Sequence, residues 1–101
     1  MIIGVLKLEF RLHGNRSLKG KRKVSQSIKQ RLRNTFNVSV SEVAAHEDHQ
    51  RLCLAAVTVS TDSKRVDSIL AKAMEAAQQN APAEFLRGET EIFSDTGEIE
   101  I

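Results

Sequence analysis

Leu6, Leu8, Phe10 and Leu12 alternate with Lys7, Glu9 and Arg11. This period of two makes one face of an extended strand apolar and the other charged. His13-Gly14-Asn15 interrupts it, and at Ser17 the period changes. Leu18, Val24, Ile28, Leu32 and Phe36 then fall within about a third of a helical wheel. Ser17 stands where a side-chain oxygen can accept an orphan backbone N–H and start that helix. A strand that feeds directly into an amphipathic helix must lay the helix back over its own apolar face. That requirement limits the folds open to the chain.

The rest of the chain continues the alternation of element types. Val38 to Val43 predicts a second strand, whose Ser39, Ser41 and Glu42 suit a sheet edge. The polar run His46-Glu47-Asp48-His49-Gln50 predicts a hairpin loop. Leu52 to Val59 is apolar on both parities and predicts a central strand. Asp62 or Ser63 can cap a second helix, with Val66, Ile69, Leu70, Ala73, Met74 and Ala77 at helical spacing and Asn80-Ala81-Pro82 as its stop. Phe85 to Phe93 predicts a last strand with Gly88 as a candidate bulge. An acidic tail follows from about residue 94.

The order β-α-β-β-α-β predicts an α+β, ferredoxin-like sandwich: a four-stranded antiparallel sheet with two helices on one face. The opposite face of the first strand would show Ile3, Val5, Lys7, Glu9 and Arg11. With 101 residues and 41% hydrophobic content, the chain predicts one domain over 1–101 around a modest core. Its only aromatics are four Phe, so that core is aliphatic. The lone Cys53 has no partner for an intramolecular disulfide and lies in an apolar run, which suits a small buried hydrophobe in a reducing cytosol. No basic leading segment precedes the first apolar run, and no stretch reaches the ~18 apolar residues of a membrane span. The expectation is a cytoplasmic protein with no membrane partner.

Charge divides the chain. Residues 1–36 carry ten Lys/Arg against one acid, Glu9, a net of +9; residues 37–101 carry five against twelve, a net of −7. Within the first helix, Lys19, Arg22, Lys23, Lys29 and Arg33 occupy the arc opposite the apolar stripe, with Gln26 and Gln30 among them and no acid. Solvated helix faces ordinarily mix signs, because i,i+4 pairs of opposite charge stabilise them. A face of one sign suits a polyanion, where each neutralised phosphate releases counterions. The candidate nucleic-acid-binding residues are Arg16, Lys19, Lys21, Arg22, Lys23, Lys29 and Arg33. Lys21 falls inside the apolar arc, so it is expected to escape at the helix end near Arg16. A plain solvated face remains the alternative.

Arg16-Ser17-Leu18-Lys19, then Lys21-Arg22, Arg31-Leu32-Arg33-Asn34 and Asn37-Val38-Ser39-Val40-Ser41-Glu42-Val43 resemble the bacterial YlxP-like family of small proteins of unknown function. The resemblance runs from the first strand through the second helix. It implies the same ferredoxin-like fold and, because genes of that family commonly lie among translation and ribosome-maturation genes, a connection to RNA or the ribosome. Two departures stand out. Gly20 replaces the Glu usual in that family, breaking a capping box with Ser17. His49 stands where a Trp is usual before Gln50-Arg51.

Other chemistries have thinner support. His46-x-x-His49 with Glu47 and Asp48 has metal-ligand residue types but no further convergent cluster, so no metal or cofactor is assigned. His13-Gly14-Asn15-Arg16 before a helix start resembles the phosphate cradle of acylphosphatases in position alone. Their long glycine-and-arginine signature is absent, so no catalytic residue and no small-molecule substrate are assigned. RNA-recognition domains of this topology stack bases on sheet aromatics, and here Phe10 lies on the helix-facing parity. The expectation is a non-enzymatic factor that binds RNA or a ribosomal subunit through phosphates. The alternative is a homodimer or larger homo-oligomer that acts as a regulatory or scaffold module through the open sheet face.

Overall fold

The computed structural model describes residues 1–79 and 82–97. The elements run β1 (Ile2–Arg11), α1 (Leu18–Thr35), β2 (Ser39–Ala44), β3 (Arg51–Ser60), α2 (Ser63–Gln78) and β4 (Glu84–Ser94). The strands form one antiparallel sheet in the order β2-β3-β1-β4. This is the ferredoxin-like arrangement, with β2 on an edge and β3 inside. The predicted stop at Asn80-Ala81 and the end of the acidic tail lie outside the described residues.

The alternation in β1 sets the layering. Leu6, Leu8, Phe10 and, just beyond the strand, Leu12 are buried on the helix side. Their partners across the ladder, Ala56, Leu54 and Leu52, are buried with them. Ile28 and Leu32 of α1, and Val66, Leu70, Ala73 and Ala77 of α2, complete the cluster. Phe10 is the one fully buried aromatic, and its ring meets Phe85 edge-on at 5.7 Å between centroids. Gly4 lets α2 close onto β1: a Cβ there would sit 2.5 Å from Val66 Cγ1.

Both helix starts are fixed as their sequences predict. Ser17 Oγ accepts from the Gly20 amide at 3.0 Å, and Asp62 Oδ1 accepts from the Lys64 amide at 3.0 Å. The β4 bulge is not at Gly88. The register shifts where Glu9 pairs Arg87 and Phe10 pairs Phe85, so Leu86 is the extra residue and lies exposed. Gly88 instead makes room: a Cβ would meet Phe85 Cζ at 3.0 Å and Met74 Cε at 3.1 Å. A second bulge lies at Val43, between the pairs Glu42–Leu54 and Ala44–Cys53.

The face away from the helices is open. Ile3 and Val5 lie beside Val59 and Val57 of β3, and Phe93 of β4 borders Ile3. Val57, Val59 and Phe93 are exposed. Towards the other end of the sheet the face becomes ionic. Glu9 receives Arg51 Nε and lies 3.6 Å from Arg87 Nη2, and Arg87 also approaches Glu89. Among the described residues, no helix is long and apolar enough to cross a membrane.

Candidate nucleic-acid interface

The 18 residues of α1 span about 27 Å at 1.5 Å per residue. Ile28 and Leu32 anchor its inner stripe in the core. That fixes the rotation of the helix and turns Lys19, Arg22, Lys23 and Arg33 outward, all exposed, with Lys29 half-buried on the flank nearer β2. Among the described residues, none of these five forms an ion pair. Arg33 is tied at one point, donating from Nη2 to the Val40 carbonyl at 2.7 Å. The other four carry charges that no acid among the described residues neutralises by contact.

Lys21 departs from expectation. It does not escape at the helix end but is 3% exposed. Its ammonium donates to the carbonyls of Ala45 at 2.6 Å, Asp48 at 2.8 Å and His46 at 3.4 Å, and lies 3.0 Å from Glu42 Oε2. The long methylene stem crosses the apolar arc while the head meets polar groups at its edge. Lys21 therefore pins the β2–β3 loop to α1 and is not available to a polyanion. The carbonyls converge because Ala45 takes a left-handed turn, with φ of 57°.

Arg16 is exposed but stands apart from the α1 stripe, beside the loop acids Glu47 and Asp48. The segment before the helix is not an open anion cradle. Asn15 Nδ2 donates to the Ser17 carbonyl at 2.9 Å and to the His49 carbonyl at 2.5 Å, and Ser17 Oγ takes the Gly20 amide. Gly20 has a positive purpose here: a Cβ would lie 2.2 Å from Asn15 Oδ1. The glycine that breaks a capping box admits an asparagine clasp between the helix start and the β2–β3 loop.

His46 and His49 are both exposed on that loop. Among the described residues, no group of three or more His, Cys, Asp or Glu side chains converges as a metal site. Cys53 is buried, but on the open-sheet side opposite Glu9 rather than in the core between sheet and helices. Burial pushes its thiol above the usual range, and the nearby Arg51 opposes that shift. The hydrogen bond to Glu9, reinforced by neighbouring negative charge, raises Arg51 in turn.

Two features escaped sequence reasoning: the Asn15 clasp and the Lys21–Glu42 pair. Only the second left a trace, a lysine within an apolar arc and a single acid in the second strand. Their pairing depends on how β2 is placed beside α1.

A family model described as "Protein of unknown function (DUF503)" matches residues 3–90. No curated protein matches the chain. Among solved structures, the chain is similar to a point mutant of SnoaB, a cofactor-independent oxygenase from Streptomyces nogalater. The TM-score is 0.51 at 13% identity, covering 97% of this chain and 96% of that one. Lesser likenesses are the de novo designed protein Ferredog-Diesel, with TM-score 0.44, 12% identity and coverage of 91% and 84%, and a REP-associated tyrosine transposase bound to a REP hairpin, with TM-score 0.44, 10% identity and coverage of 93% and 57%. At such identity, the likeness to the oxygenase is one of fold alone.

Proposed function

This chain belongs to the DUF503 family of proteins of unknown function, and within that family we propose that it is a non-enzymatic RNA- or ribosome-associated factor that grips phosphates with the outer face of α1. The observation that carries this reading is the set Lys19, Arg22, Lys23 and Lys29. Three of them lie on the exposed side of a helix packed into the core and Lys29 on its half-buried flank, with no acid in the helix and no ion pair among the described residues. The resemblance to the YlxP-like family supports the same direction. Phosphate contacts position a protein on its target without reading sequence, and an α1 about 27 Å long can track several phosphates in a row. The site residues are narrower than the sequence suggests: Lys21 belongs to the scaffold and Arg16 lies off the stripe.

Changing Lys19, Arg22 and Lys29 together to Glu tests this, since none of the three holds the fold together by an ion pair. Binding to structured ribosomal RNA is expected to disappear while the circular dichroism spectrum and melting curve stay those of a folded domain. Undiminished binding in the triple variant refutes the proposal. A second reading, a homo-oligomer, draws on the exposed Val57, Val59 and Phe93 of the open sheet face. Sedimentation velocity at micromolar concentration decides it, because a monomer throughout rules that reading out.

A further inference from the structure

Beside the cationic stripe, α1 and the β2–β3 loop enclose a cleft of about 250 Å³. Its walls include Leu18, Arg22, Ser25 and Lys29 from the helix, Glu42 from β2 and His46 from the loop. This volume lies below the ~300–1,000 Å³ of sites for whole small ligands, so it suits a single planar group. We infer that this cleft takes one unpaired guanine base of an RNA whose backbone lies on α1. The inference rests on the phosphate-binding reading above and extends it from backbone contact to base recognition.

Glu42 is the centre of the case. Its Oε2 is buried against Lys21 and makes no hydrogen bond. The side chain is nevertheless 23% exposed, and among the described residues no hydrogen bond reaches its other oxygen, since the Lys21 ammonium donates to loop carbonyls. Breaking a charge out of water and pairing it inside a protein gives little stability compared with apolar residues of the same size. A carboxylate fixed by a buried lysine, with an unoccupied oxygen at a cleft between two free cations, has the form of a recognition group. Arg22 and Lys29 can hold the flanking phosphates, and the His46 ring and Arg22 guanidinium offer planes on which an extruded base stacks. The single free oxygen selects among the bases. Guanine places two N–H donors side by side on its pairing edge, so both can converge on that oxygen, whereas adenine and cytosine set their amino group beside a ring-nitrogen acceptor and uracil sets one N–H between two carbonyl acceptors, which a carboxylate repels. Lys21 and Asn15 hold the loop wall by its backbone, so the cleft exists before any ligand arrives.

The test uses three RNA hairpins with the same stem: fully paired, with one bulged guanine, and with one bulged uracil. Dissociation constants are read by fluorescence anisotropy at one fixed salt concentration. The bulged-guanine hairpin is expected to bind about five- to a hundredfold tighter than the other two. Glu42→Gln should erase that preference, read as the ratio of affinities for the bulged-guanine and paired hairpins within the variant, and His46→Ala, at an exposed position, should reduce it. If Glu42→Gln fails to fold, the wild-type comparison and His46→Ala decide. Equal binding of all three hairpins overturns the base reading and leaves the phosphate reading standing. Failure of every hairpin to bind overturns both.

Discussion

Replacing Lys21 with Met should cost far more than replacing any other lysine of α1. The side chain is 3% exposed and its partner Glu42 is 23% exposed. Removing one member of a fully buried pair costs about 3–5 kcal/mol, because the other charge is left without compensation. The partial exposure of Glu42 places this pair near about 3 kcal/mol. The Ala45, His46 and Asp48 carbonyls also lose their shared donor. They lie on a surface loop where water can replace most of it, adding about 1 kcal/mol. A loss of about 4 kcal/mol is a large part of the stability of a 101-residue domain and lowers its melting temperature by roughly 16–32 °C. Urea titration followed by circular dichroism measures it. Lys19→Met, exposed on the same helix, serves as the control and should stay within about 0.5 kcal/mol of the parent. The double change Lys21→Met with Glu42→Leu should recover much of the loss, since it removes the stranded charge. A Lys21→Met variant as stable as Lys19→Met would refute the account of the loop anchor, as would a double variant no better than Lys21→Met alone.

Three further outcomes follow from the packing. Gly20→Ala should destabilise the parent despite the better helix propensity of alanine, because its Cβ displaces the Asn15 clasp; in an Asn15→Ala background the same change should stabilise, by up to about 1 kcal/mol, and thermal melts of the four variants show whether the sign reverses. Gly4→Ala should cost about 1–3 kcal/mol in urea titration, because its Cβ would lie 2.5 Å from Val66 Cγ1 and 2.9 Å from Leu70 Cδ1. Burial raises the Cys53 thiol, so iodoacetamide at pH 7.5 should alkylate it more slowly in the folded chain than in urea. The stability gained from keeping that thiol neutral is present below its unfolded value near pH 8.5 and lost as pH rises through the folded one; equal alkylation rates would contradict this.

The layering was legible because β1 states it outright. Four apolar residues on one parity demand a cover, and the stripes of Ile28–Leu32 and Val66–Leu70 supply it. The outward cations were legible for the same reason, since an inner stripe fixes the outer one. Lys21 was misplaced because a helical wheel records angle but not what lies above a position. Its carbonyl and carboxylate partners come from a loop and an edge strand about 24 residues away, brought there by the fold. Gly20 read as a defect because its value lies in the space it leaves for Asn15. The β4 bulge fell at Leu86 rather than at the glycine because cross-strand register, not backbone freedom, decides where the ladder slips.

The phosphate-binding claim is tested most directly by the salt dependence of affinity for structured ribosomal RNA. Four to five cations on phosphates predict a plot of log affinity against log salt that falls with a slope of about −3 to −5. The slope should approach zero in the variant with Lys19, Arg22 and Lys29 changed to Glu. A parent protein with no affinity at low salt, or with a slope that those charges do not change, would contradict the account.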